Sequence, residues 1–149
     1  MRIGKLIILT LFISVLAGCT QNNGDIHGLF GQWKLEKITA DGALDPEYDG
    51  DMVWAFQNDI VRMQIIGENH FVASRTGTFE REGDIITFNF THSDDLNAPG
   101  TGQYAPPPAT HFPSAIFHVR ILKLGGGKLE LQYVSDQGIT YIYYLKKWG

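Results

Sequence analysis

Two imidazoles and two carboxylates gather in one stretch of the chain: His92, Asp94, Asp95 and His111 all fall between residues 92 and 114. Imidazole nitrogens and carboxylate oxygens are donors of zinc-like sites, so the four could in principle surround a cation. Their spacing matches no ligand pattern, and Asp and His are equally residues of solvated turns, whereas a metal needs ligands held on rigid elements. No metal ligand is therefore assigned. His70 and His118 fall on the polar phase of their strands, opposite in phase to Phe71 and Phe117, and His27 lies near the tether; none has a partner visible in the sequence. Ser74, Ser93, Ser114 and Ser135 lack the strand-turn-helix elbow that exposes a nucleophilic serine. Gly125-Gly126-Gly127 runs into a strand, so no helix N-terminus follows it to hold phosphate. No catalytic residue and no cofactor is expected, and the chain reads as a non-enzyme.

Cys19 is the only cysteine. Ahead of it stand Arg2 and Lys5, then the apolar run from Leu6 to Leu16, which is too short to span a bilayer and has the form of a signal peptide. The run ends in Leu16-Ala17-Gly18-Cys19, which resembles the lipobox of bacterial lipoproteins. That resemblance implies cleavage after Gly18, acylation of Cys19 and attachment to the cell envelope through the lipid. The alternative, a secreted protein with a free thiol, leaves a reactive group in an oxidising compartment. Thr20 is not the aspartate associated with inner-membrane retention, so the periplasmic face of the outer membrane is the expected location.

Residues 1–18 thus form a signal peptide, 19–25 a polar tether, and 26–149 the folded part. The mature chain has 149 less 18, or 131, residues, which is one domain's worth. With its cysteine committed to lipid it has no disulfide, and stability must come from burying a composition that is 44% apolar. Losing Arg2 and Lys5 lowers the Lys and Arg count from 12 to 10 against 16 Asp and Glu, a net charge of −6. That charge speaks against nucleic acid as a partner and against adsorption of the domain itself on an anionic bilayer. A monomer is expected.

The elements that must position any site are strands. Ile26 to Phe30 has the spacing of one short helical turn. Trp33 and Leu35 then alternate with Gln32, Lys34 and Glu36, the period of a strand with one dry face. Asp41-Gly42 and the acidic stretch from Asp45 to Asp51 form a first long loop. Met52, Trp54 and Phe56 alternate, Asn58-Asp59 turns the chain, and Val61, Met63 and Ile65 alternate again, which is a hairpin. A further strand begins near His70 and Phe71, with Gly77 expected as a bulge or kink. Ile86, Phe88 and Phe90 make the dry face of the next strand. About 23 residues, His92 to Ser114, then break the rhythm, and loops of that length act as lids or binding segments when they are ordered. Phe117, Val119 and Ile121 resume alternation, Leu129, Leu131 and Tyr133 follow, and 141–148 close the chain. The expected fold is all-β: about eight antiparallel strands in an up-and-down barrel, with a flattened sandwich as the other arrangement.

Trp54, Phe56, Met63, Phe88, Phe90, Phe117 and Tyr133 fall on the inward phases. They could line an apolar pocket or fill it, because an eight-stranded barrel is at the size where both occur. Gly31 and Trp33 at the head of the first strand form a Gly-x-Trp motif, with Trp33 as plug of one barrel end. Together with the run of strands behind it, this motif resembles the lipocalin family, and especially the small lipocalin-like lipoproteins of Bacteroidetes. The resemblance covers the mature chain from Ile26 to Trp148. It implies a cationic side chain from the last strand over Trp33, for which Lys146 or Lys147 must stand in, without the guanidinium fork that reaches barrel-end carbonyls. It also implies a small apolar or amphipathic ligand in the barrel. The alternative function is a non-enzymatic interaction protein, whose plugged barrel carries the loops at 41–51 and 92–114 to an envelope protein or polysaccharide.

Overall fold

The computed structural model describes residues 28–67, 72–91 and 105–149. The signal segment, Cys19, the tether, Ile26, His27, His70, Phe71, His92, Ser93, Asp94 and Asp95 lie outside them. Among the described residues no helix is long and apolar enough to cross a membrane. The strands are β1 (Gly31–Ala40), β2 (Ala43–Leu44), β3 (Met52–Gln57), β4 (Ile60–Ile66), β5 (Val72–Glu82), β6 (Ile85–Asn89), β7 (Ile116–Gly125), β8 (Lys128–Val134) and β9 (Thr140–Trp148). From β3 onward each pairs antiparallel with its successor, and β1 pairs with both β3 and β9. Eight strands therefore close an up-and-down barrel, while β2 is a two-residue extension hairpinned onto β1. The ladder from Gln32↔Trp148 to Ala40↔Tyr141 joins the first and last strands of the barrel, which rules out the sandwich and leaves the two-residue β2 as a very short edge.

The alternation read from sequence is the alternation of burial. Trp33, Leu35, Met52, Trp54, Phe56, Val61, Met63, Ile86, Phe88, Leu129, Leu131 and Leu145 are all buried in one continuous core. Two bulges keep the phase correct. The register of β1 on β9 shifts between Leu35 and Lys37, so that Ile38 rather than Lys37 faces the core. On β7 the shift between Ile121 and Lys123 turns Leu124 inward and leaves Leu122 exposed. One extra residue moves everything after it to the other face.

Two expectations are corrected. In the described part of the helical turn expected over 26–30, residue 28 is a bend and 29–30 lead into β1 without helical structure, with Leu29 in the core. Gly77 is not a bulge: its pairing with Val61 lies in an unbroken ladder. A Cβ at Gly77 would stand 2.8 Å from both the Asn89 carbonyl oxygen and the Phe90 ring, so the glycine is there for close approach.

The barrel has two distinct ends. The start of β1 and the tight turns at 58–59, 83–84 and 126–127 share one. At the other lie the loops 41–51 and 135–139 and the returning limb 105–115 of the long connection.

Candidate functional site

Trp33 closes the first end. It is buried, and its indole Nε1 donates to the Leu29 carbonyl at 2.9 Å. Register decides between the two lysines: β9 sets Lys147 opposite Trp33 and Lys146 opposite Lys34. Lys147 Nζ lies 4.6 Å from the Trp33 ring centroid and also donates to the Phe30 carbonyl. An ammonium has three donors, so Lys147 covers the indole as expected and also bonds a barrel-end carbonyl, the part that was expected to need a guanidinium. Gly31, at φ +110°, takes a backbone shape that L-residues avoid, and a Cβ there would stand 2.8 Å from Lys147 Nζ. The Gly-x-Trp motif and Lys147 are thus one closure.

Between the two ends, all seven inward positions are buried: Trp54, Phe56, Met63, Phe88, Phe90, Phe117 and Tyr133, with Phe56 lying nearest the first end, opposite Gly31. Met63 sits directly across from Trp54 in the β3–β4 ladder. Phe56 meets Phe79 edge-on at 5.1 Å and Phe88 at 6.3 Å, and Phe90 stacks on Phe117 at 6.0 Å. Into this ring set comes a residue absent from the sequence-based candidates. Phe112, on the returning limb of the long connection, stacks on Phe117 and on Tyr143, each at 4.6 Å. It also contacts Tyr133 edge-on at 5.3 Å and lies 5.7 Å from Trp54. Only 8% of it is exposed. A loop, not a strand, therefore supplies the side chain at the centre of the mouth.

The limb that carries Phe112 is built to stay there. Pro106, Pro107 and Thr110 are buried, and Pro108–Thr110 form a single 3-10 turn. The Pro107 carbonyl accepts from both Thr110 N (3.0 Å) and Thr110 Oγ1 (2.7 Å). The Tyr143 hydroxyl donates to the Thr110 carbonyl from the barrel wall. Burial, first, and then Tyr133, Tyr141 and Asp45 nearby hold the Tyr143 phenol far above its ordinary pKa. The phenol thus stays protonated and remains a donor. His111 closes the turn in a left-handed conformation (φ +62°) and reaches across to the first loop, where its Nε2 lies 2.6 Å from Asp45 Oδ2.

The first loop is pinned independently. The Tyr48 hydroxyl donates to the Leu35 carbonyl, at the edge of the β1 bulge, and accepts from Met52 N at 3.2 Å. Burial is the main cause of its raised pKa, which the Met52 N–H opposes and Asp51 reinforces.

One charged residue on the inward phase also escaped the sequence reading. β5 sets Arg75 opposite Met63, in step with Ala73, Gly77 and Phe79. It is half-buried, its Nη1 donates to the Ser74 carbonyl at 3.2 Å, and no carboxylate among the described residues lies within ion-pairing distance. Counting back by twos from Phe79 was a usable signal; with Gly77 and Ala73 in the series, no apolar pattern marked it. The histidine expectations divide. His118 does have a partner, Thr87 Oγ1 at 2.9 Å from its Nδ1, on the outer face. His111 joins Asp45 and Glu47, and the loop companions considered for it lie outside the described residues.

The family profile described as a lipocalin-like domain matches residues 14–134. Among solved structures, the chain is similar to a lipocalin-like protein from Bacteroides uniformis, at 16% identity and a TM-score of 0.59 over 81% of this chain and 99% of that one. It is also similar to an uncharacterized protein from Bacteroides eggerthii, at 14% identity and a TM-score of 0.58 over 80% of this chain and 99% of that one. No curated protein matches it. At such identities the two structures speak to the fold alone.

Proposed function

The chain belongs to the lipocalin-like domain family, and on that premise we propose that its barrel binds a small amphipathic molecule with an apolar body and an acidic head. The observation that carries this reading is the seating of Phe112. A barrel whose centre is filled from a loop can exchange that filling for a ligand without unpairing a strand. Withdrawing one benzyl group from among Trp54, Phe88, Phe117, Tyr133 and Tyr143 uncovers an aromatic-lined space of the kind that accepts apolar molecules. Arg75, inward in phase and without a carboxylate partner among the described residues, is the group to receive an acidic head. The binder is held at the cell envelope through acylated Cys19, a part of the reading supported by the sequence Leu16-Ala17-Gly18-Cys19 after an apolar run. Binding rather than catalysis is its task.

Titration with a fluorescent fatty acid and with its alcohol analogue tests the reading. Both should quench tryptophan emission, the acid more tightly, and Arg75→Gln should abolish the difference between them while leaving the alcohol's affinity unchanged. Absence of binding by either probe refutes ligand carriage. The tight seating of Phe112 would then favour the second reading, a plugged barrel that presents its mouth loops to another envelope component.

A further inference from the structure

We propose that Asp45, Glu47 and His111 form a binding site for one divalent first-row transition-metal ion of the Zn²⁺ type, set in the barrel mouth between the first loop and the returning limb. The site stands on this cluster alone and does not depend on the barrel's contents. One imidazole nitrogen and two carboxylate oxygens, from segments 66 residues apart, lie within 4.8 Å of one another. His111 Nε2 is 2.6 Å from Asp45 Oδ2 and 3.8 Å from Glu47 Oε2. Ligands on a tetrahedral zinc are roughly 3.4 Å apart, given bonds of about 2.0–2.2 Å. Asp45 and His111 therefore need to separate by less than an ångström, and Glu47, whose side chain is 71% exposed, is able to swing in.

Charge is the second argument. The Asp45 side chain is only 6% exposed, and a carboxylate so withdrawn from water requires a cation beside it. Among the described residues His111 is the only ion-pairing partner of Asp45, and the same nitrogen also faces Glu47. Both carboxylates face the same Nε2, which has a single N–H to direct along one line, and a protonated ring brings one charge to two carboxylates. A dication with neutral His111 as third ligand satisfies all three groups and keeps an open position for water. An imidazole in the set favours zinc-like ions over Ca²⁺ and Mg²⁺, which seek oxygen alone.

The ligands are also held from behind, as a metal site requires. Asp45 Oδ1 accepts from Glu47 N at 3.0 Å, and Asp45 N donates to the Ile38 carbonyl at 2.9 Å, so Oδ2 is the oxygen turned toward the site. The His111 ring lies flat on Tyr141, with centroids 4.4 Å apart and planes 9° apart, and its backbone N–H donates to the Pro108 carbonyl at 3.1 Å. A bound ion would tie the limb that carries Phe112 to the first loop through bonds instead of one hydrogen bond.

The test is competition for Zn²⁺ against a chromophoric chelator, on the full untagged chain carrying Cys19→Ser so that no thiol contributes. One Zn²⁺ per chain is expected, with Ca²⁺ and Mg²⁺ failing to displace it. His111→Gln and Glu47→Gln should each weaken binding by about tenfold or more, the scale of losing one group from a metal site. Glu47 is exposed, so its variant keeps the fold if His111→Gln does not, and circular dichroism of each variant identifies a folded sample. Substitution by Co²⁺ should give visible bands that the Glu47→Gln protein lacks or shifts. Overturning results are no stoichiometric Zn²⁺ on the wild-type ligand set, or an affinity that the folded Glu47→Gln variant leaves unchanged.

Discussion

Truncating Phe112 to alanine separates a gate from a core residue, because it should weaken the fold and strengthen ligand binding by the same amount. Phe112 is 8% exposed, so nearly the whole benzyl group is out of water, and its transfer is worth about 2–3 kcal/mol. The side chain and limb regain some freedom when it leaves, which brings the net to about 2 kcal/mol. A ligand entering the wild-type barrel forfeits that burial before its own contacts count; in Phe112→Ala the space stands open. A gain of about thirtyfold in affinity follows, at 1.4 kcal/mol per tenfold. Urea unfolding should give a loss of about 2 kcal/mol for Phe112→Ala against about 3–5 kcal/mol for Phe88→Ala, whose backbone is fixed in a strand. Titration with an apolar probe that brightens out of water gives the other half. If Phe112→Ala binds the probe no more tightly than wild type while losing the expected stability, Phe112 is ordinary core and the exchange reasoning fails.

Three further outcomes are expected. Trp33→Ala should lose about 3–5 kcal/mol in urea, and a loss below about 1 kcal/mol would place the indole outside the closure with Leu29 and Lys147. Stability should hold up to about pH 10 and fall above it: the buried Tyr48 and Tyr143 phenols have raised pKa values in the native state, so the unfolded chain loses those protons first, at about 1.4 kcal/mol per pH unit for each. Tyr143→Phe should make that fall shallower, and an unchanged slope in alkaline urea melts would show that the phenol is not held protonated. Labelled palmitate fed to a bacterial host should enter the wild-type chain and not Cys19→Ala; an unlabelled wild type would remove the lipid anchor from the reading.

Strand-local chemistry was legible in the sequence. Side chains alternate with period two whatever the strand is paired with, so the inward phases of Trp33, Trp54, Phe88, Phe117 and Leu131 follow from neighbours one and two positions away. The Asn58-Asp59 hairpin and the plug motif at Gly31 and Trp33 are local in the same sense. On β9 the pattern is ambiguous, because Ile142 and Tyr144 are as apolar as Tyr141, Tyr143 and Leu145, and only the pairing with β1 and β8 decides which set is inside. Register likewise chose Lys147 over Lys146 for the Trp33 face.

What had no local signal was decided by chain closure. Phe112 belongs to a segment without periodicity, so nothing in its neighbourhood says that it enters the barrel; its place depends on Thr110 meeting Tyr143, 33 residues on. His111 finds Asp45 across 66 residues only because the long connection returns over the first loop. By itself the sequence determined which side chains share a face where apolar and polar residues alternate, since that phase is a property of the extended backbone; the bulges after Leu35 and Ile121 and the inward set of β9 were set by pairing. Which loop side chains fill the mouth, and which titratable groups meet there, was left to the closed barrel, because those contacts exist only once β9 pairs with β1 and sets the two loops side by side.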